Sequence, residues 1–269
     1  MSAPDDRRAV LILGGTRDAR ELATALAGDA SLRAISSLAG RTAQPLRPEG
    51  DVRIGGFGGV DGLVTYLRCE RIAAVVDATH PFAAAMSAHA AAACARVGVP
   101  HVALDRPAWI ARPGDRFIDV PDIAQAARVA AEIGRRIFVT VGRQELAPFA
   151  EIGDRFFLVR AIEAPDSRVL PAHAEVLLAR GPFVYADELA LCTRYAIDCI
   201  VAKNSGGEAT AAKLDAARTL GIPVVMIARP PSDRDVARVT DVAGVTAWLY
   251  ATLGDRPGAA DAARRVSVS

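Results

Sequence analysis

The stretch LILGGTRDARELATAL, Leu11 to Leu26, decides how the chain is read. A short apolar run meets two adjacent glycines and a threonine, and a helical pattern follows at once. That is the layout of the first strand, phosphate-binding turn and first helix of a doubly wound α/β fold. At such a turn the unpaired N–H groups and the helix dipole favour an anion, and glycine lets phosphate oxygens approach the backbone. Gly14 and Gly15 meet that need, and Thr16 adds a hydroxyl for a ligand or for capping the helix. Asp18 falls in the first helical turn, where a negative charge is stabilised. The spacing G-x-G-x-x-G is incomplete, so the same residues also describe a plain strand-to-helix turn.

Residues beyond the turn favour a nucleotide. The second strand ends SSLAGR, with Ser36 and Ser37 where an NAD-binding acid would stand and Arg41 just beyond. Hydroxyls and a guanidinium suit a 2′-phosphate that an acid would repel, so NADP is expected rather than NAD. Arg41 also reads as the decoration of a loop. GGFGG leaves the third strand and DATHPFA the fourth, which places Gly56, Phe57, Gly58 and Thr79 along the ligand edge of the sheet. His80 is a candidate proton donor near neutral pH, and its alternative is a hydrogen bond within its own loop. Pro81 and Phe82 are expected against the substrate.

Composition narrows the classes. Of 269 residues, 51% are hydrophobic and 23% charged, enough for a substantial core and too apolar for wholesale disorder. A formal net charge of +1 gives no electrostatic reason to expect nucleic acid or an anionic membrane. The start MSAPDDRRAV has no apolar core of a signal peptide, and no apolar run approaches a bilayer span, so a soluble cytoplasmic protein is expected. Cys69, Cys94, Cys192 and Cys199 form no C-x-x-C pair and read as reduced, mostly buried thiols. His80, His89, His101 and His173 show no ligand spacing, so no metal is expected.

Strand-length apolar runs alternate with helical patterns along the whole chain, which predicts βαβ units and parallel sheets. Strands are expected at 9–13, 33–39, 52–57, 72–78 and 101–105, with helices over 17–27, 60–69 and 83–98 between them. RPAWIARPGDRF, without a period and rich in Pro, Gly and Arg, marks a domain boundary. Beyond it come a helix IAQAARVAAEI, strands at 136–141, 156–162, 199–203 and 223–228, and helices over 187–196, 208–221 and 241–254. The expected organisation is an N-terminal NADP-binding domain over 1–108, a second Rossmann-like domain over 109–255 and a tail over 256–269. Two doubly wound domains in tandem lead to an active-site cleft between them.

In the second domain, KNSGG (203–207) leaves a strand and opens a helix, like GGT in the first. Lys203 offers a cation, Asn204 and Ser205 polar groups, and Gly206 and Gly207 an approachable backbone for the outer part of a nucleotide or a carboxylate. A simple helix cap by Ser205 is the alternative. Gly181 and Pro182, in RGPF, fix a second loop beside it.

GGTRDA, SSLAGR, GGFGG, DATHPFA, RPAW, TVGRQELAPF, GPF and KNSGG, in this order over Leu11 to Pro230, resemble the precorrin-6A reductase family of the cobalamin pathway. That family's opening reads G-G-T-x-E, so Asp18 stands as a shortened version. The resemblance implies two Rossmann-like domains and NADPH-dependent reduction of a tetrapyrrole, precorrin-6A, to precorrin-6B, with neighbouring pathway enzymes as handover partners. It leaves open the cobalt-bearing form of the substrate. A polycarboxylate macrocycle would give a purpose to Arg106, Arg112, Arg143, Arg160, Arg180 and Lys203, whose alternative is a solvated, salt-bridged surface.

Hydride transfer needs positioning and exclusion of water rather than a nucleophile. His80 and Lys203 are the side chains offered for catalysis. No tyrosine stands in a Y-x-x-x-K pair, which argues against a short-chain carbonyl reductase. Another NADP-dependent small-molecule oxidoreductase and a non-catalytic nucleotide sensor on the same fold remain the competing classes.

Overall fold

The computed structural model describes residues 6–40, 45–231 and 235–254. The chain divides into two compact units. One holds residues up to Arg106 together with those from Pro230 onward, and the other runs from Pro107 to Arg229.

The first unit opens with β1 (Arg8–Leu13), α1 (Arg17–Ala27), β2 (Leu32–Leu38) and β3 (Asp51–Ile54). It continues through α2 (Gly59–Cys69), β4 (Ile72–Asp77), α3 (Ala84–Val97) and β5 (His101–Leu104). Periodicity explains the helices: α1 buries Ala19, Leu22, Ala23 and Leu26 on one stripe, each leucine contributing about 1.5–3 kcal/mol. The strands β1 and β4 are almost wholly buried, as a parallel sheet covered on both faces requires.

The second unit contains β6 (Phe117–Val120), α4 (Ile123–Ile133), β7 (Arg136–Val139), the short α5 (Ala147–Ala150), β8 (Phe156–Ala161) and β9 (Ala174–Leu178). It ends with α6 (Tyr185–Arg194), β10 (Cys199–Lys203), α7 (Ala212–Leu220) and β11 (Val224–Ile227). The last elements, β12 (Ala237–Val239) and α8 (Val242–Leu253), return to the first unit.

Both sheets have six strands, in the orders β12-β5-β4-β1-β2-β3 and β6-β11-β10-β7-β8-β9. Every strand pair in them is parallel. Five strands of each sheet follow the doubly wound order 3-2-1-4-5. The sixth position is filled out of sequence in both. β6, made before the second core, takes the sixth place there, and β12, made after it, takes the sixth place in the first sheet.

The expected boundary near 108 lies within two residues of the division after Arg106. Assignment of residues up to 255 to the second domain differs from the structure. β12 pairs with β5, and Val245 and Leu249 of α8 join Leu22 and Leu26 in one core layer of the first sheet. The opposite face is filled by Leu63 and Leu67 of α2 and by Ala90, Ala93 and Cys94 of α3. In the second unit, Phe138, Leu158, Ile200 and Met226 pack beneath Cys192 of α6 and Leu214 of α7. Burial pushes the thiols of Cys94 and Cys199 up to about 12 and that of Cys192 to about 11, so these cysteines are inert core residues. No helix among the described residues is long and apolar enough to cross a membrane.

Candidate functional site

In the first unit the strand order reverses between β1 and β4, and ligands of doubly wound sheets bind outside the carboxyl ends at such a point. Gly14, Gly15 and Thr16 leave β1 there, and Ala78 to Phe82 leave β4. Thr16 stitches the two ends together: its buried hydroxyl donates to the Ala78 carbonyl at 2.8 Å and accepts from Ala19 N–H at 3.1 Å. The donor of this hydroxyl is therefore committed to the fold, as a helix cap and a strand link.

Gly15 has φ +110°, a conformation that L side chains rarely adopt, and a Cβ built on it would meet nothing within 4 Å. The turn is thus exposed backbone at the start of α1 that a ligand can approach closely, which fits a nucleotide diphosphate. Asp18 does not stand free at the helix start; it pairs with Arg106 at 2.6 Å.

At the end of β2, Ser36 and Ser37 point to opposite faces, as the strand period demands. Ser37 Oγ accepts from Arg53 Nη1 at 3.0 Å, whereas the buried Ser36 Oγ has no hydrogen-bond partner among the described residues. An orphaned buried hydroxyl at the end of β2 is the second observation that fits a nucleotide, since a buried polar group left unpaired costs about 1–3 kcal/mol. Gly56 and Gly58 are exposed on the turn before α2, with Phe57 half-buried between them. Arg41 lies outside the described residues.

The β4 turn is ordered by Asp77, a buried carboxylate that accepts from Thr79 N–H at 3.1 Å and from its hydroxyl at 2.7 Å. His80 is exposed, and its Nδ1 accepts from Phe82 N–H at 3.3 Å. In the neutral ring that bond places the proton on Nε2. Pro81 and Phe82 are half-buried beside it.

The second sheet reverses between β7 and β10. The turn after β7 has Gly142 at φ +124°, so TVGR, not KNSGG, is the topological counterpart of GGT. KNSGG follows β10 and corresponds to the β4 turn. Thr140 again stitches the strands, donating to the Val201 carbonyl at 2.9 Å. Lys203, largely buried, is ion-paired with Glu145 of the β7 turn, and Arg143 with Glu163 at 3.1 Å. The sequence carried no signal for Glu145, which lies 58 positions from its partner.

The rest of KNSGG anchors Trp109. Asn204 accepts from Trp109 N–H at 2.7 Å and donates to its carbonyl at 3.0 Å, and the Gly207 carbonyl accepts from the indole at 3.1 Å. A Cβ on Gly206 would lie 2.1 Å from the Pro107 carbonyl oxygen, which is why that position is glycine. The expected helix start at 208 is displaced to Ala212 because residues 204–207 hold this neighbouring segment instead. Ser205 is buried in the turn. Gly181 is half-buried and Pro182 exposed ahead of α6.

The arginines offered for carboxylates divide accordingly. Arg160 is buried and bonds Glu188 through both nitrogens at 2.6 and 3.1 Å, so it belongs to the core of the second unit. Arg112 lies 3.7 Å from Asp215 and lines a cavity of about 320 Å³ with Trp109, Phe117 and Arg218. Arg180 is exposed.

Comparison with known proteins points the same way. Residues 9–250 match the family model described as precorrin-6x reductase CbiJ/CobK. A precorrin-6A reductase of Rhodococcus erythropolis is 53% identical over 240 residues, covering 89% of this chain and 96% of the relative. A cobalt-precorrin-6A reductase of Priestia megaterium is 32% identical over 235 residues, covering 82% and 90%. A solved structure titled CobK precorrin-6A reductase superimposes with a TM-score of 0.88 at 41% identity, covering 93% of this chain and 99% of that one.

Proposed function

Because the chain belongs to the precorrin-6x reductase family, we propose that it reduces precorrin-6A to precorrin-6B in cobalamin biosynthesis, with NADPH as the reductant. The observation that carries this reading is the family match over residues 9–250, which takes in the open Gly15 turn and both strand reversals. The metal-free substrate is favoured because the relative named for it is 53% identical, against 32% for the relative named for the cobalt form. We place the enzyme in the cytoplasm, receiving and passing its tetrapyrrole among neighbouring enzymes of the pathway.

A bound nicotinamide nucleotide supplies the hydride, and a proton completes the reduction of one double bond. The chain's own residues bind and orient. Gly14 N–H is bonded to the Ser37 carbonyl at 2.9 Å, so the backbone N–H groups from Gly15 onward, with the dipole of α1 behind them, would hold the diphosphate. The end of β2, with Ser36 on one face and Ser37 on the other, would lie at the adenosine ribose. His80, exposed at the strand reversal, is the side chain placed to move a proton through Nε2. Lys203, held by Glu145, and Arg143 present positive charge to the carboxylates of the macrocycle.

Three measurements test this reading. Nucleotide fluorescence titration is expected to give NADPH at least tenfold tighter binding than NADH, about 1.4 kcal/mol, and equal affinities would remove the NADP assignment. NADPH binding without bleaching of the precorrin spectrum would favour a nucleotide sensor. Lys203→Ala is expected to lower kcat/KM tenfold or more, as loss of one charged contact of about 1.5–3 kcal/mol predicts, with a far smaller effect on Tm. Unchanged kinetics beside a lowered Tm would confine the lysine to its ion pair with Glu145.

A further inference from the structure

We propose that Arg53 binds the 2′-phosphate of the nucleotide and sets the preference for the phosphorylated cofactor, an inference that rests on the nucleotide reading above. Arg53 sits in β3 in register with Ser37, at the end of β2 where an NAD-binding protein would carry its ribose-binding acid. Its Nη1 donates to Ser37 Oγ at 3.0 Å and to the Gly55 carbonyl at 2.8 Å, and its Nη2 to the Gly56 carbonyl at 3.0 Å. The guanidinium carbon lies 3.8 Å from the centre of the Phe57 ring and 5.1 Å from that of Tyr66. The side chain is thus locked in place, half-buried, at the ribose end of the turn.

Three of its five N–H groups are committed by these bonds. What remains is Nε–H and one Nη2–H, the paired donors with which a guanidinium grips a phosphate through two oxygens. Among the described residues no carboxylate forms an ion pair with Arg53. Asp51, two residues before it in β3, and Glu70, at the end of α2, both pair with Arg33. A fixed, half-buried cation with no carboxylate partner among the described residues is complementary to a dianionic 2′-phosphate and offers nothing comparable to a bare ribose.

The test is calorimetric titration of wild type, Arg53→Gln and Arg53→Lys with 2′,5′-ADP and with 5′-ADP. Wild type is expected to prefer 2′,5′-ADP by at least tenfold. Arg53→Gln should lose at least tenfold for 2′,5′-ADP and less than twofold for 5′-ADP. Arg53→Lys keeps the charge but not the fork, and should lose at least threefold of the preference; it decides the matter if the glutamine variant fails to fold. Equal losses for both ligands would reduce Arg53 to a prop for the GGFGG turn, and no loss would put the phosphate on another residue. If wild type binds neither ligand, the nucleotide reading itself fails.

Discussion

Glu188→Ala is expected to lower the unfolding free energy of the second unit by about 3–5 kcal/mol, the cost of leaving a buried charge without its partner. Glu188 is 2% exposed and accepts both ends of the Arg160 guanidinium, which itself lies between the rings of Phe138 and Phe183 at 4.6 and 3.9 Å. Lys213 adds a second buried cation near the pair; burial first, and then Arg160, push its ammonium down to about 8. Removing the one carboxylate leaves two cations in a dry interior, with only the Thr210 carbonyl bonded to Lys213. Denaturant unfolding measures the effect. A loss under 1 kcal/mol would mean that water reaches the cluster. The double change Arg160→Met with Glu188→Leu should recover most of the stability, because it removes the charges together.

Gly15→Val is expected to weaken NADPH binding by roughly a hundredfold or more, about 2.7 kcal/mol, while the protein remains folded. Nothing lies within 4 Å of a Cβ at this position, so no clash with the protein arises. The φ of +110° makes a branched side chain strained, at about 1–3 kcal/mol, which a domain of this size tolerates. The new side chain would occupy the open space in which the diphosphate is proposed to lie. Near-wild-type affinity in a folded variant would show that the nucleotide is not bound at this turn.

Much of this architecture could be read locally. The helix predicted over IAQAARVAAEI is observed from Ile123 to Ile133, and the strand CIVAK from Cys199 to Lys203, because a strong apolar period and clear breakers flank each. The three strands with no sequence signal, β6, β9 and β12, are short edge strands with polar positions, so neither alternation nor a continuous apolar run marks them. Sheet membership of β12 and α8 was illegible for a different reason. The helical period of α8 is local, but its place and that of β12 against β5 depend on residues more than 130 positions earlier.

The site divides in the same way. Glycines, serines and the β4 turn announce themselves by type and place. Ion pairs such as Asp18 with Arg106 or Lys203 with Glu145 are long-range matches that no spacing reveals. Arg53 could have been found by pairing DVRI against ISSL as neighbouring parallel strands, which sets it opposite Ser37.

The exchange of sixth strands has a consequence for synthesis on the ribosome. At about 5–20 residues per second, β12 emerges roughly 7–27 s after β5, the strand it must pair with. During that interval the edge of β5 is open, and the apolar surface of α1 that Val245 and Leu249 will cover faces water or a chaperone. The second unit, contiguous from Pro107 to Arg229, meets no such delay. The half of the protein translated first is therefore the half completed last. A ribosome that stalls or a protease that cuts between the units strands the first unit without its closing strand and helix, so that unit reaches its finished form only in chains translated past Leu253.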